Sequence, residues 1–282
     1  MIDRICIIGV GLIGGSFAKG LKDSGLVKTI IGCSRNEDNL QQAQALGIID
    51  EYTTDIAKAV SAVDMVLIAT PVDSFALILQ SIKPHISETT IISDVGSTKG
   101  SVIAIAKQVF GDMPENFIPA HPIAGKEQSG VSAADGTLFN NKCVILTPTK
   151  NASTQSVVTV TKLWDALGAK VEIMDDKKHD DLLAMTSHLP HILAFSLMDY
   201  LSNCNPKAMN YAAGGFKDFS RIASSDAVMW RDICLNNADE IVKHIEGFQE
   251  SLNSLSEMIK SKEKHEIEQL FINAKNARDR IL

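Results

Sequence analysis

The chain of 282 residues is poor in cysteine and aromatics and has no excess of positive charge. Its five cysteines, Cys6, Cys33, Cys143, Cys204 and Cys234, stand far apart, are odd in number and form no C-x-x-C pair. That pattern speaks against a disulfide framework or a zinc ribbon and suits reduced thiols in the cytoplasm. Twenty-seven basic against 34 acidic side chains leave a net charge of −7, with no surplus to neutralise phosphates, so a nucleic-acid partner is not expected. Aromatics at 5% are too few for a platform that stacks single strands. No apolar run is long enough to cross a bilayer. The apolar N-terminus lacks a basic leader and is broken by Gly9 and Gly11, unlike a signal peptide. The seven histidines make no H-E-x-x-H pattern, and no metal is expected. What remains is a chain 45% apolar and 22% charged, long enough for about two domains.

Short β-branched runs at 5–8, 29–32, 65–69, 90–93, 117–120, 142–147 and 171–174 alternate with helical patterns at 16–24, 39–46 and 74–82. Most of the runs are apolar throughout, as strands buried on both faces are, and the alternation predicts a mostly parallel, doubly wound α/β sheet. Near Asp175 the pattern changes. Residues 180–201 read as a helix that Pro190 should kink. Over 238–259, Ile241, Ile245, Phe248, Leu252, Leu255 and Ile259 recur at spacings of four and three, a helical seam that packs either within one chain or against a second copy. The expected division is an N-terminal domain over 1–174 and an all-helical domain over 175–282.

Gly9-Val10-Gly11-Leu12-Ile13-Gly14 follows a buried strand and opens a helix, the context in which G-x-G-x-x-G binds a dinucleotide. Gly9 permits the turn, Gly11 lets a pyrophosphate approach the backbone, Gly14 allows the helix to pack closely, and the helix start at Leu12 and Ile13 faces the negative charge. This predicts a Rossmann-type domain. Where an acidic residue would hold the ribose of NAD, the chain has Ser34 and Arg35. Arg35 either pairs with the 2′-phosphate of NADP or stacks on adenine, so both cofactors remain compatible. Further polar groups gather where later strands end: Thr70 and Pro71, then Ser97 and Lys99, then His121 between Pro119 and Pro122. A neutral imidazole at such an edge can accept a proton, although a structural histidine bonded to a carbonyl would look the same. Ser97 either orients the imidazole or caps a helix, and Lys99 is expected at the surface or facing phosphate. In the second half, His188 and His191 share a helix face without a third metal ligand. Arg221 either grips a carboxylate or pairs with Asp218 or Asp226, and Trp230 either caps a pocket or simply packs.

The segments 9–16, 94–100, 121–130, 187–191 and 215–232 together resemble the prephenate/arogenate dehydrogenase family, the oxidative decarboxylases of tyrosine biosynthesis. The resemblance implies a helical dimerisation domain and hydride transfer from a cyclohexadienol to NAD or NADP. By it, His121 takes the hydroxyl proton, Ser97 contacts the hydroxyl or the nicotinamide, and Arg221 binds the ring carboxylate. Ser187 and His191 line the pocket near the substrate side chain, and Trp230 helps close it, with a partner subunit as its possible source. Neither an upstream mutase domain nor a downstream regulatory domain is expected. A 3-hydroxyacid dehydrogenase or imine reductase of the same plan would be expected to use a lysine or another helix-borne group instead of His121. A dinucleotide sensor without turnover would have no need of His121, Ser97 and Arg221 together.

Overall fold

The computed structural model describes residues 2–126 and 128–280. The N-terminal part runs β1 (Arg4–Ile8), α1 (Leu12–Ser24), β2 (Thr29–Cys33), α2 (Glu37–Ala45), β3 (Glu51–Thr53), α3 (Ile56–Val60), β4 (Met65–Ile68), α4 (Phe75–Ile82), β5 (Ile91–Asp94), α5 (Gly100–Phe110) and β6 (Phe117–Ile118). The strands form one parallel sheet in the order β3-β2-β1-β4-β5-β6. Successive residues of β1 serve opposite faces, as the period of two requires. Ile5 and Ile7 join the core under α1, with Phe17 and Trp164, whereas Cys6 and Ile8 join the core under α4 and α5, with Phe75 and Phe117. Burial on both faces is why these runs carry no polar alternation.

The expected strand over 117–120 is two strands. Pro119 has no N–H to continue a ladder, and the chain leaves the main sheet there. It re-enters as β7 (Ala120–Pro122), antiparallel to β8 (Cys143–Leu146), which in turn runs parallel to β9 (Lys170–Ile173). The expected strands over 142–147 and 171–174 therefore belong to this second, three-stranded sheet. Helix α6 (Thr154–Ala166) covers it and returns Trp164 to the first core, where Phe17 and Phe139 meet the indole at 4.7 and 5.0 Å. β3 has no apolar run to announce it; its register with β2 supplies what its composition does not.

Asp175 accepts a hydrogen bond from the Lys178 N–H and caps α7 (Asp176–Leu183), where the helical part starts. The chain then widens into a π-turn (Ala184–His188) before α8 (Leu189–Cys204). The Leu189 N–H reaches back five residues to the Ala184 carbonyl. Pro190 has no N–H for the Thr186 carbonyl and its ring would crowd it, so the expected kink takes the form of a π-bulge. Next come α9 (Gly214–Ser220), a 3-10 turn (Arg221–Ser224), α10 (Ala227–Asn236), α11 (Ala238–Ser261) and α12 (Lys264–Asp279). Of the six seam residues on α11, Ile241 is buried, Ile245, Phe248 and Leu255 are half-buried, and Leu252 and Ile259 are exposed. Among the described residues no helix is long and apolar enough to cross a membrane.

Candidate active site

The glycine loop has the shape its three glycines imply. Gly9 has a φ of +96°, and a Cβ there would lie 2.5 Å from the Ala69 carbonyl oxygen. A Cβ on Gly14 would meet the Gly9 carbonyl oxygen at 2.2 Å, so only glycine lets α1 sit this close to the strand. Gly11 is the opposite case: a Cβ there would meet nothing within 4 Å. The open side of Gly11 and the N-terminus of α1 at Leu12 and Ile13, which no side chain caps, leave backbone N–H groups accessible to a diphosphate. Ser34 and the exposed Arg35 follow β2, and Asn36 caps α2. Thr70 and Pro71 follow β4; the Thr70 hydroxyl accepts a hydrogen bond from Ser74 at 2.8 Å, and its methyl lies against Gly9. No carboxylate stands at 34–36 to repel a 2′-phosphate.

Behind this edge lies a charged pair that the sequence does not announce. Lys99, expected at the surface, is fully buried and its ammonium is hydrogen-bonded to Asp94, also fully buried. Lys99 Nζ donates a second bond to the Ala120 carbonyl at 2.7 Å, and Asp94 accepts the N–H groups of Gly96 at 2.7 Å and Ala120 at 3.2 Å. Burial pushes the Asp94 carboxyl up and the Lys99 ammonium down, and each is opposed by the other's charge. Both partners thus grip Ala120, and with it the backbone that presents His121. Ser97 lies in the β5–α5 connection, half-buried, its hydroxyl without a hydrogen-bond partner among the described residues, so it does not cap α5.

His121 is the middle residue of β7. Its Nδ1 lies 2.9 Å from Nε2 of His179, and Nδ1 of His179 lies 2.7 Å from Oδ1 of Asp180. Asp180 also accepts the N–H groups of Lys99 and Gly100, both at 2.8 Å, which makes it the cap of α5 supplied from the other domain. Burial alone would raise the Asp180 carboxyl; the hydrogen bonds from His179, Lys99 and Gly100 outweigh it and hold the group below the usual carboxylate range. Burial drives His121 well below the ordinary imidazole value, and the nearby charges of His179, Lys99 and His188 add to the shift. His179 is likewise lowered by burial, against the pull of Asp180. Neither His179 nor Asp180 stood out in the sequence, because 175–181 reads as a solvated, charged helix start. The available signal was the helix face they share with the buried Leu183.

The remaining candidates gather on the helical side. The Asn237 amide donates to the Asp180 carbonyl at 2.9 Å and to Nδ1 of His188 at 3.3 Å. Burial pushes His188 down to about 4. Its ring meets Trp230 edge-on at 6.0 Å, and His191 stacks on the same indole at 3.9 Å. Both histidines therefore do share a face, and the face is aromatic. Nδ1 of His191 donates to the Ser187 carbonyl at 2.8 Å. Burial lowers His191 against the hydrogen bond to Ser187, and the charge of Arg221, on the 3-10 turn packed on α8, lowers it further. Trp230 is buried against its own chain, with an indole N–H that has no hydrogen-bond partner among the described residues. The structure thus brings Ser187, His191, Trp230 and Arg221 together and joins them to His121 through His188, Asn237, Asp180 and His179. Among the described residues one group, Asp181, Glu240 and His244, has metal-like spacing, but the Lys243 ammonium already bridges its two carboxylates.

A parallel sheet wound on both faces, a glycine cradle shaped for a dinucleotide and a helical domain closing over the strand ends define a nicotinamide-dependent oxidoreductase of two-domain plan. Comparison with known proteins specifies it further. Residues 17–173 match the nucleotide-binding domain of prephenate dehydrogenase, and residues 175–273 match its dimerization domain. The chain belongs to the prephenate dehydrogenase family. It is 34% identical to the cyclohexadienyl dehydrogenase of Zymomonas mobilis over 99% of this chain and 96% of that one. It is 35% identical to the prephenate dehydrogenase of Bacillus subtilis over 99% of this chain and 76% of that one. Among solved structures, prephenate dehydrogenase from A. aeolicus in complex with hydroxyphenyl propionate and NAD+ superposes with a TM-score of 0.94 at 39% identity, covering 100% of this chain and 99% of the other.

Proposed function

We propose that this chain oxidatively decarboxylates prephenate, arogenate or both, with His121 as the proton acceptor. The observation that carries this reading is the half-buried imidazole of His121, shifted toward its neutral form and held through Ala120 by Lys99 and Asp94 and directly by His179, beside the carboxyl end of β5. The residues proposed to hold the dinucleotide are Gly9, Gly11, Leu12, Ile13, Gly14, Ser34, Arg35, Thr70 and Pro71. When bound, the oxidised nicotinamide supplies a hydride acceptor. The protein's own work is to orient the ring, exclude water and take the hydroxyl proton; aromatisation of the product drives the rest. Arg221 is proposed to bind the ring carboxylate, which is lost as carbon dioxide. Ser97 contacts the hydroxyl or the nicotinamide, Ser187 and His191 face the substrate side chain, and Trp230 helps close the pocket. The proposed domain boundary falls between residues 174 and 175. We also propose a homodimer through the C-terminal helices, located in the cytoplasm, where five free cysteines stay reduced.

Two measurements test the reading. Steady-state rates with prephenate and arogenate, each crossed with NAD and NADP and followed by carbon dioxide release, identify the substrate and cofactor. His121→Asn is expected to lower kcat by a factor on the order of 10² to 10⁴ while dinucleotide affinity is retained. Unchanged turnover in that variant would remove His121 from the mechanism.

A further inference from the structure

Three side chains in a row carry a proton bookkeeping that the reaction itself does not state. Asp180 accepts three hydrogen bonds on its two oxygens and is held ionised, so it can only accept from His179. His179 must then carry its proton on Nδ1, which leaves Nε2 with a lone pair. The contact between that Nε2 and Nδ1 of His121 needs one hydrogen, and only His121 can supply it. His121 is therefore protonated on Nδ1, and its Nε2 carries the lone pair.

We propose that His179 and Asp180 are positioning residues that fix the tautomer of His121, aiming a bare Nε2 at the substrate hydroxyl and drawing the acquired charge toward Asp180. The proposal rests on His121 as the proton acceptor. When the substrate O–H breaks, an N–H forms at His121 Nε2. The His121 Nδ1–H then passes to Nε2 of His179, so one proton enters the chain and none is lost. The groups facing His121 explain the direction of that shift. Lys99 disfavours a cation on either ring, His188 disfavours one on His121, and no carboxylate charge favours one there. A cation on His179 instead sits directly against the Asp180 carboxylate. Because Asp180 also caps α5, the base is correctly protonated only when the helical domain is seated on the N-terminal one. A buried carboxylate that sets a histidine tautomer is an established device in other enzymes.

The test uses the full-length protein labelled with ¹⁵N-histidine, with the His121 resonances assigned by their loss in His121→Asn. In the wild type, Nδ1 of His121 is expected to be protonated and Nε2 bare; the reverse tautomer would overturn the proposal without any further variant. His179→Phe keeps a ring but removes the acceptor. It is expected to give mixed His121 tautomers and a kcat lower by roughly 10- to 100-fold, with KM for both substrates within about twofold and a displaced acid limb in the kcat/KM profile. His179→Gln, whose amide oxygen can reach the Nε2 position, is expected to recover much of that loss. If His179→Phe alters thermal stability alone and leaves tautomer and kcat intact, the positioning role is wrong, while a dead His121→Asn still upholds the acceptor. A fully active His121→Asn would instead remove the acceptor itself.

Discussion

Lys99 shows what a sequence reading misses at the scale of one residue. A lysine between a threonine and a glycine looks solvent-facing, yet its ammonium lies in the protein interior against Asp94. Such a pair gains little over apolar packing, but removing one partner strands the other charge. Lys99→Met is therefore expected to destabilise the protein by roughly 3–5 kcal/mol in urea denaturation; an unchanged midpoint would show that Asp94 is not held as a buried charge. The histidines give a second consequence. His188 titrates near 4 when folded and near 6.5 when exposed, because burial disfavours its charged form. A group with a lowered folded value contributes its full stability above 6.5 and loses it as pH falls toward 4. The loss from His188 alone should be roughly 3 kcal/mol. Denaturation of the wild type and of His188→Gln across that interval measures it, and equal slopes would refute the assignment.

At the scale of elements, the three glycines separate folding from binding. Gly9 and Gly14 have no room for a Cβ, while Gly11 has a φ of −100° and open space beside it. Gly11→Val should leave thermal stability nearly unchanged and weaken dinucleotide binding at least about tenfold, about 1.4 kcal/mol; calorimetric titration that found unaltered affinity would place the diphosphate elsewhere. Gly9→Val should fail at folding. The strands β1, β2, β4 and β5 were legible because both-face burial leaves an unbroken apolar run, and the glycine loop, α1, α2 and α4 were legible beside them, whereas the short α3 was not. β3 was not, because a three-residue edge strand is specified by its neighbour and not by its composition. The continuation past Pro119 was misjudged for a related reason. A proline signals that one ladder ends, but not that the chain joins a second sheet running the other way. The π-turn before Pro190 matters to the site, because it sets the facing of Ser187, His188 and His191.

At the scale of the molecule, the helical part leaves apolar surface uncovered. Leu252 and Ile259 on α11, and Phe271 and Ile272 on α12, are exposed, with Phe271 at 55%. A seam of that kind is poorly suited to water and well suited to a second copy, in keeping with the dimerization domain matched over 175–273. The wild type should sediment at twice the mass of the chain, and the double variant Ile259→Asp, Phe271→Asp at the mass of one. A double variant that remains dimeric would place the interface on other elements. Polar contacts that join the two halves include His121 on His179 at 2.9 Å, Asp180 on the start of α5, and the Asn236 amide on Asp73 at 2.9 Å.

The sequence by itself determined the central strands of the main sheet, the glycine loop and the residue types available for chemistry, since these depend on apolar periodicity and on backbone freedom, which are local. It also offered a histidine, a serine and an arginine, His121, Ser97 and Arg221, as candidates for the site. Only the tertiary structure decided what surrounds them. That Lys99 is buried against Asp94 and that Trp230 lies on His191 are outcomes of packing within each domain, and that His179 and Asp180 sit behind His121 is an outcome of the two domains packing together. Hydrogen-bond partners dozens of residues apart are chosen by that packing and leave no period in the chain.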